Sequence, residues 1–196
     1  MIPESSDAHE LWMYSCERFP YVWKKYCKLS SDCVADATPF FTENSFVLFA
    51  TRFNDPENKQ NDNLAVLDSG TTGFNIIDNN LLLRPAGHFI KLSNGKYLRP
   101  SQNNTITYGG SLIFNEVHNT DIKEYHESPI LQIYPNRSSA DKDGVYVECA
   151  KKPYWTYNGI HTYNINDDYE VIDLKYKGGK SIYAMTSFLK KKIFSY

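Results

Sequence analysis

Seven side chains have the types and settings to do chemistry: Glu4, Asp36, Arg84, Arg99, Gln102, Tyr108 and His161. Asp36 opens the run Asp-Ala-Thr-Pro-Phe-Phe, where an aspartate either works as an acid or base or caps a turn through its own backbone. Glu4 follows Pro3 and offers the second carboxyl. Arg84 carries a planar fork suited to carboxylate, phosphate or sugar hydroxyls, and a tie from Arg84 to Asp36 is the structural alternative. In Arg99-Pro100-Ser101-Gln102 the glutamine can donate and accept at once, which suits a sugar hydroxyl; a rim turn fixed by Pro100 is the alternative. His161, in Gly-Ile-His-Thr-Tyr-Asn, can shuttle a proton near neutral pH or simply hold a structural hydrogen bond. Tyr21, Trp23, Tyr108, Tyr154 and Trp155 can stack on the apolar face of a pyranose or fill a core.

Other chemistries lack their signatures. The sequence has no Walker motif, dinucleotide glycine fingerprint, His-Glu-x-x-His or Gly-x-Ser-x-Gly. Cys16, Cys27, Cys33 and Cys149 match no zinc-ribbon, redox-pair or haem spacing and read as small buried or half-buried thiols. No metal or cofactor is demanded. With 21 Lys+Arg against 23 Asp+Glu the net charge is -2, so no basic field awaits a phosphate backbone and nucleic acid is not expected as a partner. Apolar runs such as Phe46 to Ala50 are far shorter than the roughly 18–20 residues of a membrane span. The first ten residues lack the parts of a secretory signal, so a cytoplasmic location is expected and the Asn103 and Asn136 sequons read as chance.

The positioning elements must be strands. Aromatic residues make up 15% of the chain, and short apolar runs alternate with clusters of Asn, Asp, Gly and Pro. Strands are expected over 10–16, 45–52, 63–68, 88–92, 96–99, 111–117, 144–149, 159–164 and 170–176. Turns are expected at Asp55-Pro56-Glu57-Asn58, Ser93-Asn94-Gly95 and Asn166-Asp167-Asp168. The Lys190-Lys191-Lys192 run reads as a solvated end.

A repeat of about 50 residues, the size of a four-stranded propeller blade, runs through these hairpins. Met1-Ile2-Pro3-Glu4-Ser5 is similar to Tyr97-Leu98-Arg99-Pro100-Ser101, with Phe49-Ala50-Thr51 in the same place between them. Each is followed by a further strand, at Leu11, Leu64 and Leu112, and by an apolar point at Leu29, Leu82 and Leu131. The strand before the hairpin recurs as Asp36 to Phe41 and as Arg84 to Phe89. About four periods fit, the first starting in mid-blade, so 1–196 is expected to be a single, partial all-β propeller domain whose first blade is missing or incomplete.

Seven blocks carry a family resemblance: Met1 to Ser5, Phe19 to Trp23, Val34 to Thr38, Arg84 to Gly87, Tyr97 to Gln102, Tyr108 to Gly110, and Gly159 to Asn164 with Val171 to Asp173. In order and spacing they resemble the N-terminal domain of glucosamine inositolphosphorylceramide transferase, whose bacterial relatives occur in polysaccharide gene clusters. That family is similar to the five-bladed propellers of arabinanase and sucrase glycosidases. The resemblance implies a central sugar-sized funnel with Asp36, Arg84 and His161 at the starts of innermost strands. Glycoside cleavage needs one carboxyl to protonate the leaving oxygen and a second as base or nucleophile, and Asp36 and Glu4 are the catalytic candidates present. Arg84, Arg99, Gln102, His161 and Tyr108 are then substrate-binding candidates, and Asp173 a turn anchor.

Three readings follow: a glycosidase- or glycosyltransferase-like enzyme, a non-catalytic glycan- or nucleotide-sugar-binding module, and a remnant with an open strand edge that needs an oligomer or a partner chain. The expected partner is a sugar or glycoconjugate, with a transferase domain or partner chain as a further one.

Overall fold

The structure is a computed structural model that describes residues 1–41, 46–55, 60–68, 73–78, 84–136, 139, 144–147, 157–176 and 186–188. The expected turn residues Pro56 to Asn58, and Leu82, Cys149, Tyr154, Trp155 and Lys190 to Lys192, lie outside the described residues. Every regular element described is a strand or a short 3-10 turn, so the chain is all-β, with several sheets of which none is closed. Two compact units divide it, Met1–Pro85 and Ala86–Tyr196. Among the described residues no helix is long and apolar enough to cross a membrane.

In the first unit, Leu11–Arg18 (β1) and Val22–Ser30 (β2) form an antiparallel hairpin. Val34–Phe41 (β3), Phe46–Asp55 (β4), Gln60–Asp68 (β5) and Asn75–Asp78 (β6) then follow one another as a four-stranded antiparallel meander. Val47, Leu48, Phe49 and Ala50 are all buried, so this central strand reads as a continuous apolar run. Leu11, Val34, Leu48, Ala50, Ala65, Leu67 and Phe74 make the core, each large side chain contributing about 1.5–3 kcal/mol by its burial. The two-residue strand Arg84–Pro85 (β7) ends the unit.

The segment Met1 to Ser5, expected as a strand, forms no ladder. Met1 does pair with Tyr14, accepting from its N–H at 2.8 Å and donating to its carbonyl at 2.9 Å. Pro3 then has no N–H to give a ladder, and the 3-10 turn Ser6–Ala8 ends the extended stretch.

The second unit holds two sheets. Ile90–Lys91 (β8), Tyr97–Asn103 (β9), Ser111–Asn119 (β10) and His126–Tyr134 (β11) pair antiparallel in sequence order, and Val145–Tyr146 (β12) adds parallel to β11. Tyr157–Ile165 (β13), Glu170–Tyr176 (β14) and Thr186–Phe188 (β15) form the second antiparallel sheet. Leu98, Leu112, Phe114 and Ile133 from one sheet share a core with Tyr157, Ile160, Tyr163, Ile172 and Leu174 from the other. Backbone bonds also join them: Tyr163 N–H donates to Ala86 O at 2.8 Å and Ile160 N–H to Gly109 O at 2.7 Å.

The expected turns at 93–95 and 166–168 form through side-chain chemistry. Asn94 Oδ1 accepts from Lys96 N–H with Gly95 at φ +84°, and Asn166 Oδ1 accepts from the Asp168 and Tyr169 N–H groups.

Candidate functional site

Three of the sequence candidates meet in the first unit. Strand β3 slips register against β4 between Ala35 and Thr38, a bulge that takes Asp36 out of the ladder and turns its side chain aside. Asp36 sits there at φ +54°, a left-handed conformation that costs a non-glycine residue about 1–3 kcal/mol. The surroundings hold it on three sides. Its N–H donates to Glu4 Oε2 at 2.9 Å, its carbonyl accepts from Thr38 Oγ1 at 3.0 Å, and its Oδ2 accepts from Arg84 Nε at 2.5 Å. Arg84 in turn lies over the buried Phe53 ring, 5.8 Å from its centroid.

The Arg84 and Asp36 side chains are only 14% and 20% exposed, so their attraction is less screened than that of a surface pair. Glu4 is exposed beside them. The cluster therefore offers carboxylate acceptors and a guanidinium donor at one place, the combination that hydrogen-bonds neighbouring sugar hydroxyls. Asp32, which no motif singled out, does structural work close by in sequence. It accepts from Ser30 Oγ and Phe74 N–H at 2.8 Å each and faces Arg52 at 3.4 Å.

The other four candidates lie in the second unit. Arg99, Pro100, Ser101 and Gln102 were expected at a strand end, and the structure corrects this. They occupy the interior of β9, and all four are buried. Pro100 fits because its carbonyl faces Ala86, whose N–H it receives at 3.1 Å. Its missing donor points the same way, and no bond of the β9–β10 ladder is lost. The Arg99 fork, expected at substrate, is engaged by Glu127 through Nε at 2.8 Å and through Nη2. Gln102 is fully buried, its Oε1 3.5 Å from Asn104 Nδ2.

Tyr108 and His161 come together instead. Gly109, at φ +70°, folds the 104–110 loop against β13, and an added Cβ there would stand 3.0 Å from Ile160 O. That approach sets the Tyr108 hydroxyl in a hydrogen bond with His161 Nε2, with ring centroids 5.0 Å apart. His161 lies in a second bulge, between Ile160 and Tyr163, and its Nδ1 stands 3.6 Å from Asp173 Oδ2. Asp173, expected to anchor a turn, faces an imidazole from the middle of β14.

Among the described residues no three His, Cys, Asp or Glu side chains are grouped to hold a metal ion. Tyr21 is exposed on the β1–β2 hairpin, while Trp23 donates its indole N–H to Pro20 O at 2.8 Å. Cys33 is buried with its thiol donating to Ser6 O at 3.3 Å and Cys27 is half-buried, as expected, whereas Cys16 is exposed, near the turn of the β1–β2 hairpin. No family model, curated protein or solved structure matches the chain.

Proposed function

We propose that this chain is a carbohydrate-related domain of the β-propeller type, which binds or acts on a sugar or glycoconjugate through Glu4, Asp36 and Arg84. The observation that carries the reading is the meeting of these three residues, from segments 32 and 48 positions apart, around an aspartate held in a left-handed bulge. Left-handed strain at a non-glycine residue gathers at sites where a side chain must be aimed. The consecutive β3–β6 meander supports the blade reading, and the blocks resembling the glucosamine inositolphosphorylceramide transferase N-terminal domain support the sugar.

Within this reading the 2.5 Å tie of Asp36 to Arg84 favours a binding module over a glycosidase. A carboxylate already accepting from a guanidinium suits hydroxyl recognition, whereas hydrolysis needs a second carboxyl free to give a proton.

The test is titration of the intact chain with a panel of neutral sugars, amino sugars and glycosyl phosphates, followed by calorimetry. Saturable binding is expected, weakened about tenfold or more in Asp36→Asn and Arg84→Met, since a charge-assisted hydrogen bond contributes about 1.5–3 kcal/mol. Circular dichroism checks that each variant is folded. No saturable binding by the unaltered chain, or binding indifferent to both substitutions, overturns the proposal. Release of sugar from aryl glycosides, lost in Glu4→Gln and Asp36→Asn, moves the reading to the enzyme.

A further inference from the structure

A second cluster, in none of the sequence candidates, stands at the end of the β10–β11 face that carries Leu112 and Phe114, where the strands run past the shared core. Glu116 and His118 are two residues apart on β10, and across the register shift after Val117 their side chains still meet on one side of the sheet. Ser128 is the cross-strand partner of Glu116 and shares that face, diagonal to His118. The distances have a direction. Ser128 Oγ stands 2.6 Å from His118 Nε2, and His118 Nδ1 stands 3.4 Å from Glu116 Oε1. A carboxylate beside Nδ1 selects the tautomer with the proton on that nitrogen, which leaves Nε2 to accept from the serine hydroxyl.

The support around this chain fixes it. Lys96 Nζ bonds Glu116 Oε1 at 2.9 Å, and that hydrogen bond holds the Glu116 carboxyl below the usual carboxylate range. The His126 ring packs on His118 with centroids 5.3 Å apart, limiting how the imidazole can turn. Glu127, next to Ser128 and pointing to the opposite face, is locked by Arg99 in the buried pair. Because alternate residues of a strand face opposite ways, locking Glu127 on one face fixes Ser128 on the other.

We propose that Ser128 is an activated nucleophile that takes an acyl group from a carboxylic ester, with His118 as general base and Glu116 as the residue that positions it. Ser128 Oγ bonds to the ester carbonyl carbon while its proton passes to His118 Nε2. The carbon–oxygen bond to the leaving alcohol breaks, and the alkoxide takes that proton from His118. Water then attacks the acyl-serine by the same route, releasing the carboxylic acid and restoring Ser128. His118 is 39% exposed and Ser128 half-buried, so small acyl groups presented at the surface are the substrate class. This activity lies in the second unit and does not depend on the sugar reading.

The intact chain is treated with a fluorophosphonate probe and mapped by peptide mass, and in parallel assayed with p-nitrophenyl acetate. One probe per chain on the Ser128 peptide is expected, with no label on Ser128→Ala. His118→Gln is expected to slow both labelling and ester hydrolysis about 100-fold, the lower end of general-base contributions. Glu116→Gln is expected to slow both and Glu116→Asp to recover part of the loss, a rescue that loss of a merely structural contact does not give. Glu116, His118 and Ser128 are all partly exposed, and circular dichroism reports whether the fold survives each substitution. Absence of label on Ser128 in the folded chain overturns the proposal, as does labelling or hydrolysis that His118→Gln leaves unchanged.

Discussion

Among the described residues Arg99 is the largest fully buried side chain, and its guanidinium meets a Glu127 side chain that is only 5% exposed. Burial alone disfavours the charged Arg99, but the charge and hydrogen bond of Glu127 outweigh it, and the net effect raises the Arg99 pKa above its ordinary value. Tyr125 completes the cluster by donating its hydroxyl to Glu127 Oε2 at 2.6 Å, and burial first, with the Glu127 charge adding to it, raises the Tyr125 pKa as well. Removing one member of such a pair leaves a buried charge without its partner. Glu127→Ala is expected to lower stability by about 3–5 kcal/mol in urea unfolding, whereas Arg99→Met with Glu127→Leu together recovers most of that loss. A single-variant cost below about 1 kcal/mol, or no recovery in the pair, contradicts this account. The sequence shows Arg99 beside Pro100 and suggests a rim. Its partner lies 28 residues away across two strand crossings, which no local pattern reveals. Of the three residues expected at strand starts only Arg84 opens its strand; Asp36 is third in β3 and His161 fifth in β13, each displaced into a bulge that the sequence does not announce.

At the scale of elements, the hairpin β1–β2 is held at its open end by Glu10, which accepts from the Trp12 indole N–H and from Lys28 Nζ at 2.9 Å each. These two bonds, the Trp12 bond first, hold the Glu10 carboxyl below the usual carboxylate range. A carboxyl whose folded pKa is depressed stabilises the fold above its unfolded value, and the contribution disappears as pH falls through the folded value. The Trp12 indole N–H resonance is therefore expected to shift as pH falls below about 4.5, and Glu10→Gln to abolish that step. A Trp12 signal flat to pH 3, or an unchanged step in the variant, counts against the latch. Elements with apolar alternation were readable in the sequence, β14 to its ends, while β2 and β11 were not. β2 reads Val-Trp-Lys-Lys-Tyr-Cys-Lys-Leu-Ser, without apolar alternation, and β11 carries Pro129, which argues against a central strand. Pro129 is tolerated because β12 covers β11 only at Ile133 and Tyr134. The Ser128 relay was hidden for the same reason: its pairing passes through register shifts after Phe114 and after Val117, which only the structure counts.

At the scale of the whole molecule, most strands pair with the next strand in sequence, which a local reading can find, while the expected period of about 50 residues fits the step from Val34 to Arg84 and not the later step to Tyr157. What it could not find is how buried residues are shared. Leu48 belongs to a core drawn entirely from the first unit, and Leu112 to one drawn entirely from the second, where two sheets supply it jointly. Both leucines are fully buried, so truncating either to alanine is expected to cost about 2–5 kcal/mol. Separate cores give each unit its own opening equilibrium. Hydrogen exchange read by mass spectrometry is then expected to show Leu48→Ala raising exchange in β3, β4 and β5 and leaving β9, β10 and β13 protected, with Leu112→Ala doing the reverse. Equal loss of protection in both sets of strands from either substitution means that the two units open as one, and the division into two cores has no energetic counterpart.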